Sequence, residues 1–502
     1  MNVQISPSDW PLKQIRAIAA ERGVRVWVVG GAVRDALLER PVHDWDFATN
    51  RDALDLARAV GDSLGGAYFP LDTERGTGRV ILTAEHGARL ELDFAALRGP
   101  DLETDLAARD FTINAMALDE TGALVDPLGG EADVKTRRIR AASERAFQKD
   151  PLRTLRAARL EAELGFEIEP QTAAWIRRDA PLLNLPSAER LRDEFARGMV
   201  LPGASAYLRR LDELGLLPHV VPELESLKGV AQSPPHRFDV WRHTLVVVDT
   251  LEMVVAAVTG EPLGPRPRAL ADAPPAAWGD IARTLSQFSG DVREHLAVEP
   301  CAGRDRALLL KLAALLHDVG KPETWSEGED GYIHFYGHEP AGARIAAARL
   351  RRLRFSGDEV RRVRTIVEGH LRPPHLARAE KVTRRAVYRY FRATGDAGVE
   401  IVLLSLADHL ATWGPNLRER RWARRLEVAE LLLSHYFERR EETVAPPPLL
   451  SGHDLMNELE LEAGPEIGRL LEALQEAQAA GEVQTREEAL ALTAQILDVA
   501  TR

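Results

Sequence analysis

The chain has 502 residues, of which 45% are hydrophobic and 28% are charged; these are globular proportions that exclude wholesale disorder, a collagen repeat or a coiled-coil rod. At roughly 150 residues per domain, the length predicts three or four domains. The single cysteine, Cys301, excludes a disulfide framework or a cysteine-built zinc module and favours a reducing compartment. No run of about 18 apolar residues and no signal-peptide core occur, so we expect a cytoplasmic protein without a membrane partner.

The net charge of −12 argues at first against a nucleic-acid partner, but the charge is unevenly distributed. Residues 343–392 contain 15 Lys or Arg against 4 Asp or Glu. Such a run is commonly only a solvated helix face. The acidic total therefore leaves RNA open as a partner, provided that the RNA follows a local basic track.

The first 145 residues have the pattern of an α/β domain. The β-branched and aromatic run from Val26 to Val29 predicts a strand that ends at Gly30-Gly31, and a helix follows from Ala32 to Glu39. Further short strands are predicted at 46–48, 79–83, 90–94 and 115–118. From Asp150 onward, Pro and Gly punctuate long runs rich in Ala, Leu, Arg and Glu, which predicts an all-helical body.

Two stretches resemble linkers. Residues 259–277 are dense in Pro, Gly and Ala and predict a surface insertion, and the three prolines of 444–452 separate the last helical segment from the rest. We expect four domains, with boundaries at 1–145, 146–230, 231–440 and 445–502.

The turn at Gly30-Gly31 lies between a strand and a helix. Backbone N–H groups at such a turn can approach a phosphate closely, and Arg34 in the first helical turn can add a charge-assisted contact. Simple turn geometry explains most Gly-Gly pairs, so this pattern alone is weak.

Asp44 and Asp46 follow about ten residues later. Positions two apart on a strand face the same side, so both carboxylates point to one spot. Oxygen ligands suit Mg²⁺, and a carboxylate pair can hold the ions of an in-line phosphoryl transfer. Asp93, on another predicted strand, is a candidate third carboxylate. The alternatives are an ordinary Asx turn around Trp45 and an exposed strand acid at Asp93.

These motifs together resemble the bacterial and eukaryotic class of tRNA nucleotidyltransferases and their poly(A) polymerase relatives. The matching segments, in chain order, are GGAVRD at 30–35, DWD at 44–46, RDFTINA at 109–115, DPLGG at 126–130, DPLR at 150–153, SAER at 187–190, PEIG at 465–468 and GEV at 481–483. The similarity covers nearly the whole chain except the Pro-rich insertion.

The resemblance implies a polymerase-β-like nucleotidyltransferase head that adds CMP, with AMP addition left open, to the 3′ end of tRNA without a template. Mg²⁺, CTP and ATP would be the cofactor and substrates. It also implies that Arg109, Asp110 and Asn114 contact the triphosphate or ribose. Asp150 and Arg153 would read the base, since a carboxylate accepts from an exocyclic amine and a guanidinium donates to ring acceptors. An intrahelical ion pair is the alternative for these two.

Three departures from the family pattern bear on nucleotide preference. Lys149 stands where the base-reading motif usually has Glu, and Ala108 replaces the first Arg of the ribose motif. The segment between Asp93 and Asp110 is also shorter than in members that add both C and A. In this respect the chain resembles members that add only the two cytidines.

A second constellation lies in the helical body, where imidazoles and carboxylates recur in a metal-binding order: His243, His317, Asp318, His338, His370 and Asp408. Such ligands suit Mn, Fe, Ni or Zn, and their bound water can attack phosphorus. Lys321 is a candidate phosphate contact. Buried histidines are more commonly only hydrogen-bonded. The ordered set, however, resembles the HD phosphohydrolase superfamily, which implies a phosphatase or 2′,3′-cyclic phosphodiesterase.

Arginines interleave with aromatic residues in the segment that contains Arg384, Arg385 and Arg389. Arginine contacts phosphate and tyrosine stacks on bases, so this segment is a candidate RNA track. The alternative is that Tyr388 and Phe391 are core residues and the arginines pair with neighbouring glutamates.

Two other functions remain open at this point. A poly(A) polymerase or an A-adding enzyme would share every catalytic motif. A hydrolase whose HD site is the main activity, with a head that only binds RNA, would use the same residues differently. Oligomeric state is not readable from the sequence.

Overall fold

The computed structural model describes residues 11–42, 44–83, 89–262 and 274–500, with side chains to residue 497. Most of the Pro-rich insertion predicted at 259–277 and the first ten residues lie outside the described residues. The chain divides into two compact units, one with residues up to 187 and 210–219, the other with residues 188–209 and 220 to the end.

The first unit is built around a mixed β-sheet flanked by helices. Its strands are β1 (Val26–Val29), β2 (Asp44–Thr49), β3 (Ala67–Asp72), β4 (Thr77–Thr83), β5 (Arg89–Ala96), β6 (Ala117–Leu118), β7 (Leu124–Val125), β8 (Arg138–Ile139) and β9 (Glu167–Ile168). Its helices are α1 (Leu12–Glu21), α2 (Gly31–Leu37), α3 (Ala53–Leu64), α4 (Leu102–Ala107), α5 (Gly130–Lys135), α6 (Ala146–Lys149), α7 (Leu152–Leu164) and α8 (Pro170–Asp179).

Seven strands form the main sheet in the order β3-β4-β5-β2-β1-β6-β7. The pair β2–β5 is parallel, whereas β1–β2, β1–β6, β3–β4, β4–β5 and β6–β7 are antiparallel. Strands β8 and β9 form a separate parallel pair.

Alternation along β2 and β5 gives this sheet two different faces. Trp45 and Phe47 are buried on one side of β2, and Leu92 and Phe94 are buried on the same side of β5. The rings of Phe47 and Phe94 stack with centroids 4.8 Å apart. The intervening acidic residues therefore project from the opposite face.

The second unit is helical apart from the hairpin of β10 (Ser326–Glu327) and β11 (Ile333–His334). Helices α10 (Ala204–Glu213) and α11 (Leu217–Val220) are divided between the two units. The remaining helices are α9 (Ala188–Val200), α12 (Val240–Thr259), α13 (Ala276–Leu285), α14 (Ser289–Ala297), α15 (Arg306–Leu316), α16 (His338–Arg352), α17 (Gly357–Gly369), α18 (Arg372–Leu376), α19 (Arg384–Thr394), α20 (Gly398–Trp413), α21 (Glu419–Phe437), α22 (Gly452–Glu458), α23 (Pro465–Ala480) and α24 (Arg486–Ala500).

Helices α12 and α20 are apolar nearly all round, as expected for helices in the centre of a helical domain. Their polar exceptions include His243 on α12 and Asp408 on α20, and both belong to the predicted metal set. No helix among residues 11–42, 44–83, 89–262 and 274–500 is long and apolar enough to cross a membrane.

Candidate active sites

The first candidate site is the acidic face of the main sheet. Asp44 and Asp46 lie two apart on β2 and project from the same face, and Asp46 is the direct register partner of Asp93 on the parallel strand β5. The structure thus brings together the three carboxylates predicted from the sequence.

Arg79 was not predicted as part of this site. It lies on β4 opposite Asp93, to which its Nε and Nη2 donate two hydrogen bonds of 2.8 Å, and its Nη1 lies 2.5 Å from Glu91. Both oxygens of Asp93 are therefore engaged by one guanidinium. Only the sheet register brings Arg79 here, so no local sequence signal marks it.

Among the carboxylates of this face, Asp46 has the pKa with the largest shift. Its pKa is raised to about 6. The main cause is burial: protein atoms enclose the carboxylate on most sides, although the residue keeps an opening to solvent. The positive charge of Arg109 lowers this pKa, whereas the negative charges of Asp93 and Asp44 raise it further. A cation between these carboxylates would relieve their repulsion, so the donor set fits a divalent ion.

Gly30 holds the turn between β1 and α2 in a conformation that favours glycine, with φ at 78°. A Cβ at this position would lie 3.0 Å from Nη1 of Arg109 and 3.1 Å from Oδ2 of Asp46. The N–H of Gly30 donates to the carbonyl of Met116 at 3.3 Å, and the contact of this turn with a phosphate stays a prediction. The absence of a side chain at Gly30 leaves the space that Arg109 and Asp46 border.

Arg34 is buried beside Gly31, and its guanidinium is engaged within the protein. It donates two 2.9 Å hydrogen bonds to Asp35 and one of 2.8 Å to Oδ1 of Asn114. Three hydrogen bonds thus engage the Arg34 guanidinium within the protein, and its contact with a phosphate stays a prediction. Arg34 orients Asn114, and Asp35, the last residue of the GGAVRD motif, holds the guanidinium, a role that the sequence analysis did not assign.

Asp110 and Asn114 form the next layer of this network. The Nδ2 of Asn114 donates to Asp110 at 3.1 Å, and Arg156 donates to the other oxygen of Asp110 at 2.9 Å. Burial works to raise the pKa of Asp110, but the charge and hydrogen bond of Arg156 and the bonds from Asn114 and the N–H of Phe111 outweigh burial, so the pKa is lowered. Arg156, which sequence reasoning missed, thus keeps Asp110 ionised.

Arg109 lies above the acidic face, where Gly30 leaves room for it. Asp105, one helical turn earlier, fixes its guanidinium with contacts of 3.2 and 3.3 Å. Asp105 also accepts from the N–H of Arg98 at 3.1 Å, which pins the segment before it. Arg109 is therefore a positive charge held beside Asp46.

Asp150 and Arg153 do not share a helix face as predicted. Asp150 is extended, with φ −147° and ψ 100°, and α7 begins only at Leu152. Arg153 is buried, and its Nη1 and Nη2 donate to the carbonyls of Arg109 and Ala108 at 3.1 and 3.0 Å. Arg153 thus ties α7 to the segment that carries Arg109.

The second candidate site is the histidine cluster of the helical unit. The potential ligand atoms fall into two neighbouring groups, each with its members within 4.8 Å of one another: His243, His317 and Asp408 in one, Asp318, His338 and His370 in the other. Asp318 links the groups, since its carboxylate lies 3.1 Å from Nε2 of His317 and 3.5 Å from Nε2 of His338. Asp408, which belongs to a distant part of the sequence, lies 3.0 Å from Nε2 of His243.

Three of these histidines have their ring orientation fixed by the backbone. The Nδ1 atoms of His317, His338 and His370 lie 2.7–2.8 Å from the carbonyl oxygens three residues earlier. This contact places the proton on Nδ1 and leaves Nε2 as an electron-pair donor, which is how metal-ligating histidines are commonly oriented. Among the described residues, Nε2 of His317 and of His243 are buried and face the carboxylates of Asp318 and Asp408 at 3.1 and 3.0 Å without the geometry of a hydrogen bond. The donor set therefore fits a bound metal.

The protonation of His370 agrees with this interpretation. Burial and the neighbouring His317 and His338 lower its pKa to about 3. A neutral imidazole is the form that ligates a metal.

Two further groups border the cluster. Lys321, a candidate phosphate contact, lies 2.7 Å from Asp318 and donates to Gln232 at 2.6 Å. His236 was missed by the sequence analysis; its ring lies 5.2 Å from that of His243. Burial, with Lys321 and His243, lowers the pKa of His236 to about 4. A histidine seven residues before His243 is the only sequence signal that points to it.

The predicted RNA-binding arginines on α19 are paired within the chain. Arg384 lies 3.3 Å from Glu442, Arg385 lies 2.7 Å from Glu482, and Arg389 lies 2.5 Å from Glu476. The neighbouring aromatics Tyr388 and Phe391 are buried. These contacts favour the alternative of core aromatics and intramolecular ion pairs, and the RNA-binding role stays a prediction.

Both candidate sites coincide with known families. Residues 26–140 match the family described as poly A polymerase head domain, and residues 165–228 match an RNA and SrmB-binding site of polymerase A. Residues 280–413 match the HD domain family, and residues 428–494 match a second tRNA nucleotidyltransferase domain. The fold and the acidic face thus define a nucleotidyltransferase, and the predicted fold class is confirmed.

Relatives and solved structures indicate which family of nucleotidyltransferases the chain resembles. The chain is 37% identical to an A-adding tRNA nucleotidyltransferase of Deinococcus radiodurans, over 92% of the chain and 94% of that protein. It is also 37% identical to a CC-adding tRNA nucleotidyltransferase of Thermus thermophilus, over 92% of each. A Thermotoga maritima CCA-adding enzyme complexed with tRNA shares the fold, with TM-score 0.56, 20% identity and coverage of 99% of this chain and 98% of that one. The chain belongs to the tRNA nucleotidyltransferase family and is an enzyme.

Proposed function

We propose that this enzyme adds CMP to the 3′ end of tRNA without a template and uses CTP and Mg²⁺. The observation that carries this proposal is the set of Asp44, Asp46 and Asp93 on one sheet face beneath Arg109, in a chain of this family. The names of the relatives, which include tRNA as the acceptor, support the same substrate. A cytoplasmic location is part of this proposal.

Asp44 and Asp46 are the residues that would hold Mg²⁺. The ions would lower the pKa of the attacking 3′-hydroxyl and neutralise the departing pyrophosphate. Two carboxylates are enough, because Mg²⁺ is commonly bound by one or two carboxylates together with substrate phosphates. Asp93 lies on the same face. We propose that it binds an ion only when it gives up its hydrogen bonds with Arg79.

The surrounding residues bind and orient the nucleotide. Arg109 presents its charge beside Asp46, where the triphosphate must lie to reach the ions. Asp110 and Asn114, fixed by Arg34 and Arg156, would receive the ribose. Gly31 begins α2 at the same edge and leaves space for the phosphates.

Base selection is the role that we propose for the start of α7. Asp150 is half-exposed there and can accept from the exocyclic amine that C and A share. Arg153 contributes mainly by holding residues 108 and 109, since reading a base would require it to leave their carbonyls.

We propose CC addition rather than complete CCA addition because of the short segment between Asp93 and Asp110. This segment is structured. The Oδ1 of Asp101 accepts from the N–H of Thr104 at 2.8 Å and caps α4. The carboxylate of Asp105 accepts from the N–H of Arg98 and pairs with the guanidinium of Arg109. In the family that this chain resembles, a longer flexible segment accompanies the change from C to A. The Thermus relative is named as CC-adding, whereas the Deinococcus relative is named as A-adding.

The experiment uses tRNA transcripts that end before CCA and after CC, with Mg²⁺ and CTP or ATP, separately and together. Products are sized on a sequencing gel. We expect two C additions to the first transcript and none to the second, even with ATP present. A third addition of A would identify a CCA-adding enzyme, A addition to the CC-ended transcript alone would identify an A-adding enzyme, and many A additions would identify a poly(A) polymerase.

A second activity is favoured by the histidine cluster. We propose that it holds one or two transition-metal ions, Mn, Ni, Fe or Zn, and hydrolyses a phosphate ester. The metal would supply an acidified water as nucleophile. Water adds to phosphorus, the bond to the ester oxygen breaks, and that oxygen leaves with a proton as a hydroxyl. Lys321, next to Asp318, is the residue that would contact the phosphate.

A further inference from the structure

Three arginines form a positively charged wall beside the histidine cluster: Arg378, Arg421 and Arg425. Arg421 and Arg425 lie one turn apart on α21, which packs on α20, the helix of Asp408. The ring of His409, next to Asp408, stacks on Trp422 with centroids 6.0 Å apart. This stacking fixes the arginine-bearing turn of α21 against the edge of the cluster.

Arg378 is brought to the same place by Arg424. The Nη2 of Arg424 donates to the carbonyl of Ala379 at 2.7 Å and so anchors the chain after α18 to α21. Burial lowers the pKa of Arg425, with the charges of Arg378 and Arg421 adding to the decrease and Asp408 opposing it. Arg378 and Arg421 are thus neighbouring charges of Arg425, and Asp408 is the carboxylate whose charge acts on Arg425.

These arginines differ from most others in the unit because they have no salt bridge. Among the described residues, no carboxylate lies within 4.0 Å of Arg378, Arg421 or Arg425, whereas Arg385, Arg389 and many others are paired. The Nη1 of Arg425 is buried and has no hydrogen-bond partner in the part of the chain that the structure describes. Leaving a buried charged donor unsatisfied is costly, so an anionic partner from outside the chain is the natural complement.

The position of these three arginines indicates which kind of anion would bind to them. Lys321 lies 2.7 Å from Asp318, while α21, which carries Arg421 and Arg425, packs on α20, the helix of Asp408. A substrate whose scissile phosphate lies at the metals can therefore place another phosphate against the wall. Guanidinium groups bind phosphate oxygens in two-point contacts, and a nucleic-acid strand presents successive phosphates.

We propose that Arg378, Arg421 and Arg425 form a subsite for a second phosphate, so that the histidine cluster acts on oligonucleotide ends rather than on isolated phosphate monoesters. This inference rests on the hydrolase activity proposed for the cluster and adds its substrate class. The wall determines specificity and takes no part in bond breaking.

The test compares two substrates that differ by one nucleotide, and therefore by one phosphate: uridine 3′-monophosphate and the dinucleotide UpUp with a 3′-phosphate. Phosphate release by the full-length, Mn²⁺-loaded enzyme gives KM and kcat for both. Calorimetry gives their binding affinities independently of turnover. The variants are Arg425→Gln and Arg421→Gln; Arg421 is exposed, and its guanidinium lies 5.2 Å from the centre of the Trp413 ring. Arg469→Gln, an exposed arginine on α23 paired with Glu466, is the matched control.

We expect the wild-type enzyme to have a lower KM and tighter binding for UpUp than for the monophosphate. Both wall variants should weaken UpUp binding and raise its KM by about tenfold, the value of one charge-assisted contact, with kcat and the monophosphate parameters unchanged. The control should match wild type.

Three results would overturn the subsite: equal affinities for both substrates in the wild type, equal losses for both in the variants, or a rise only in the KM for tRNA during nucleotide addition. The last result would assign the wall to tRNA. Preferential UpUp binding without phosphate release would leave the subsite standing and refute the proposed hydrolase activity instead.

Discussion

At the residue scale, Gly30 is where the nucleotidyltransferase site depends most directly on an absent side chain. The missing Cβ leaves room for both Arg109 and Asp46 beside the turn, so that a triphosphate-binding charge and a metal-binding carboxylate border the same small space. Gly122, in the same unit, also has a positive φ, 84°, but a Cβ there would meet nothing within 4 Å. A substitution at Gly122 therefore introduces backbone strain alone, whereas a substitution at Gly30 introduces backbone strain together with crowding at the site.

We predict that Gly30→Ala and Gly122→Ala each lower the free energy of unfolding by about 1–2 kcal/mol, because both place a Cβ in left-handed backbone. Gly30→Ala should also lower kcat/KM for CMP addition at least about tenfold, since the new Cβ would displace Arg109 and Asp46. Urea unfolding and steady-state kinetics check both effects. Wild-type kcat/KM in Gly30→Ala would contradict the role given to the space at Gly30.

At the scale of elements, a buried ionic network joins four helices of the second unit. Glu400 on α20 is fully buried; it accepts from Arg362 at 2.6 Å and lies 2.8 Å from Nε2 of His295. Asp396 receives a second bond from Arg362, at 2.7 Å, and one from Arg306, at 2.6 Å. The network fixes α14, α15, α17 and α20, of which α20 carries Asp408.

We predict that Glu400→Gln lowers the free energy of unfolding by about 3 kcal/mol, because it removes the charge that balances buried Arg362. Urea unfolding of metal-free protein measures this change. Glu466→Gln, which alters an exposed pair with Arg469, should change stability by less than about 0.5 kcal/mol. Similar unfolding midpoints for the two variants would show that the network does not stabilise the fold.

The sequence predicted those elements whose residues carry a local signal. Alternation marked β2 and β5, but β3 was missed because it is an edge strand with largely exposed residues and a proline, Pro70. Asp150 was expected on a helix, although Pro151 disfavours helical backbone in the preceding residue. The partners Arg79 and Arg156 could not be predicted, because strand register and helix packing bring them to Asp93 and Asp110.

At the scale of the whole molecule, each candidate site is built from residues of one compact unit. The acidic face belongs to the first unit, and the histidine cluster belongs to the second. Disabling either site should therefore leave the chemistry of the other intact. A protein with one shared active site would not behave in this way.

The most direct measurement assays both reactions in Asp46→Ala and His370→Ala: CMP addition to a tRNA transcript lacking CCA, and phosphate release from UpUp with Mn²⁺. Asp46→Ala should lose CMP addition by at least about 1,000-fold and keep phosphate release, because only the head metal site is removed. His370→Ala should show the reverse, with phosphate release reduced at least about 100-fold. Undiminished CMP addition in Asp46→Ala, or loss of both reactions in either folded variant, would contradict two separate metal-dependent sites.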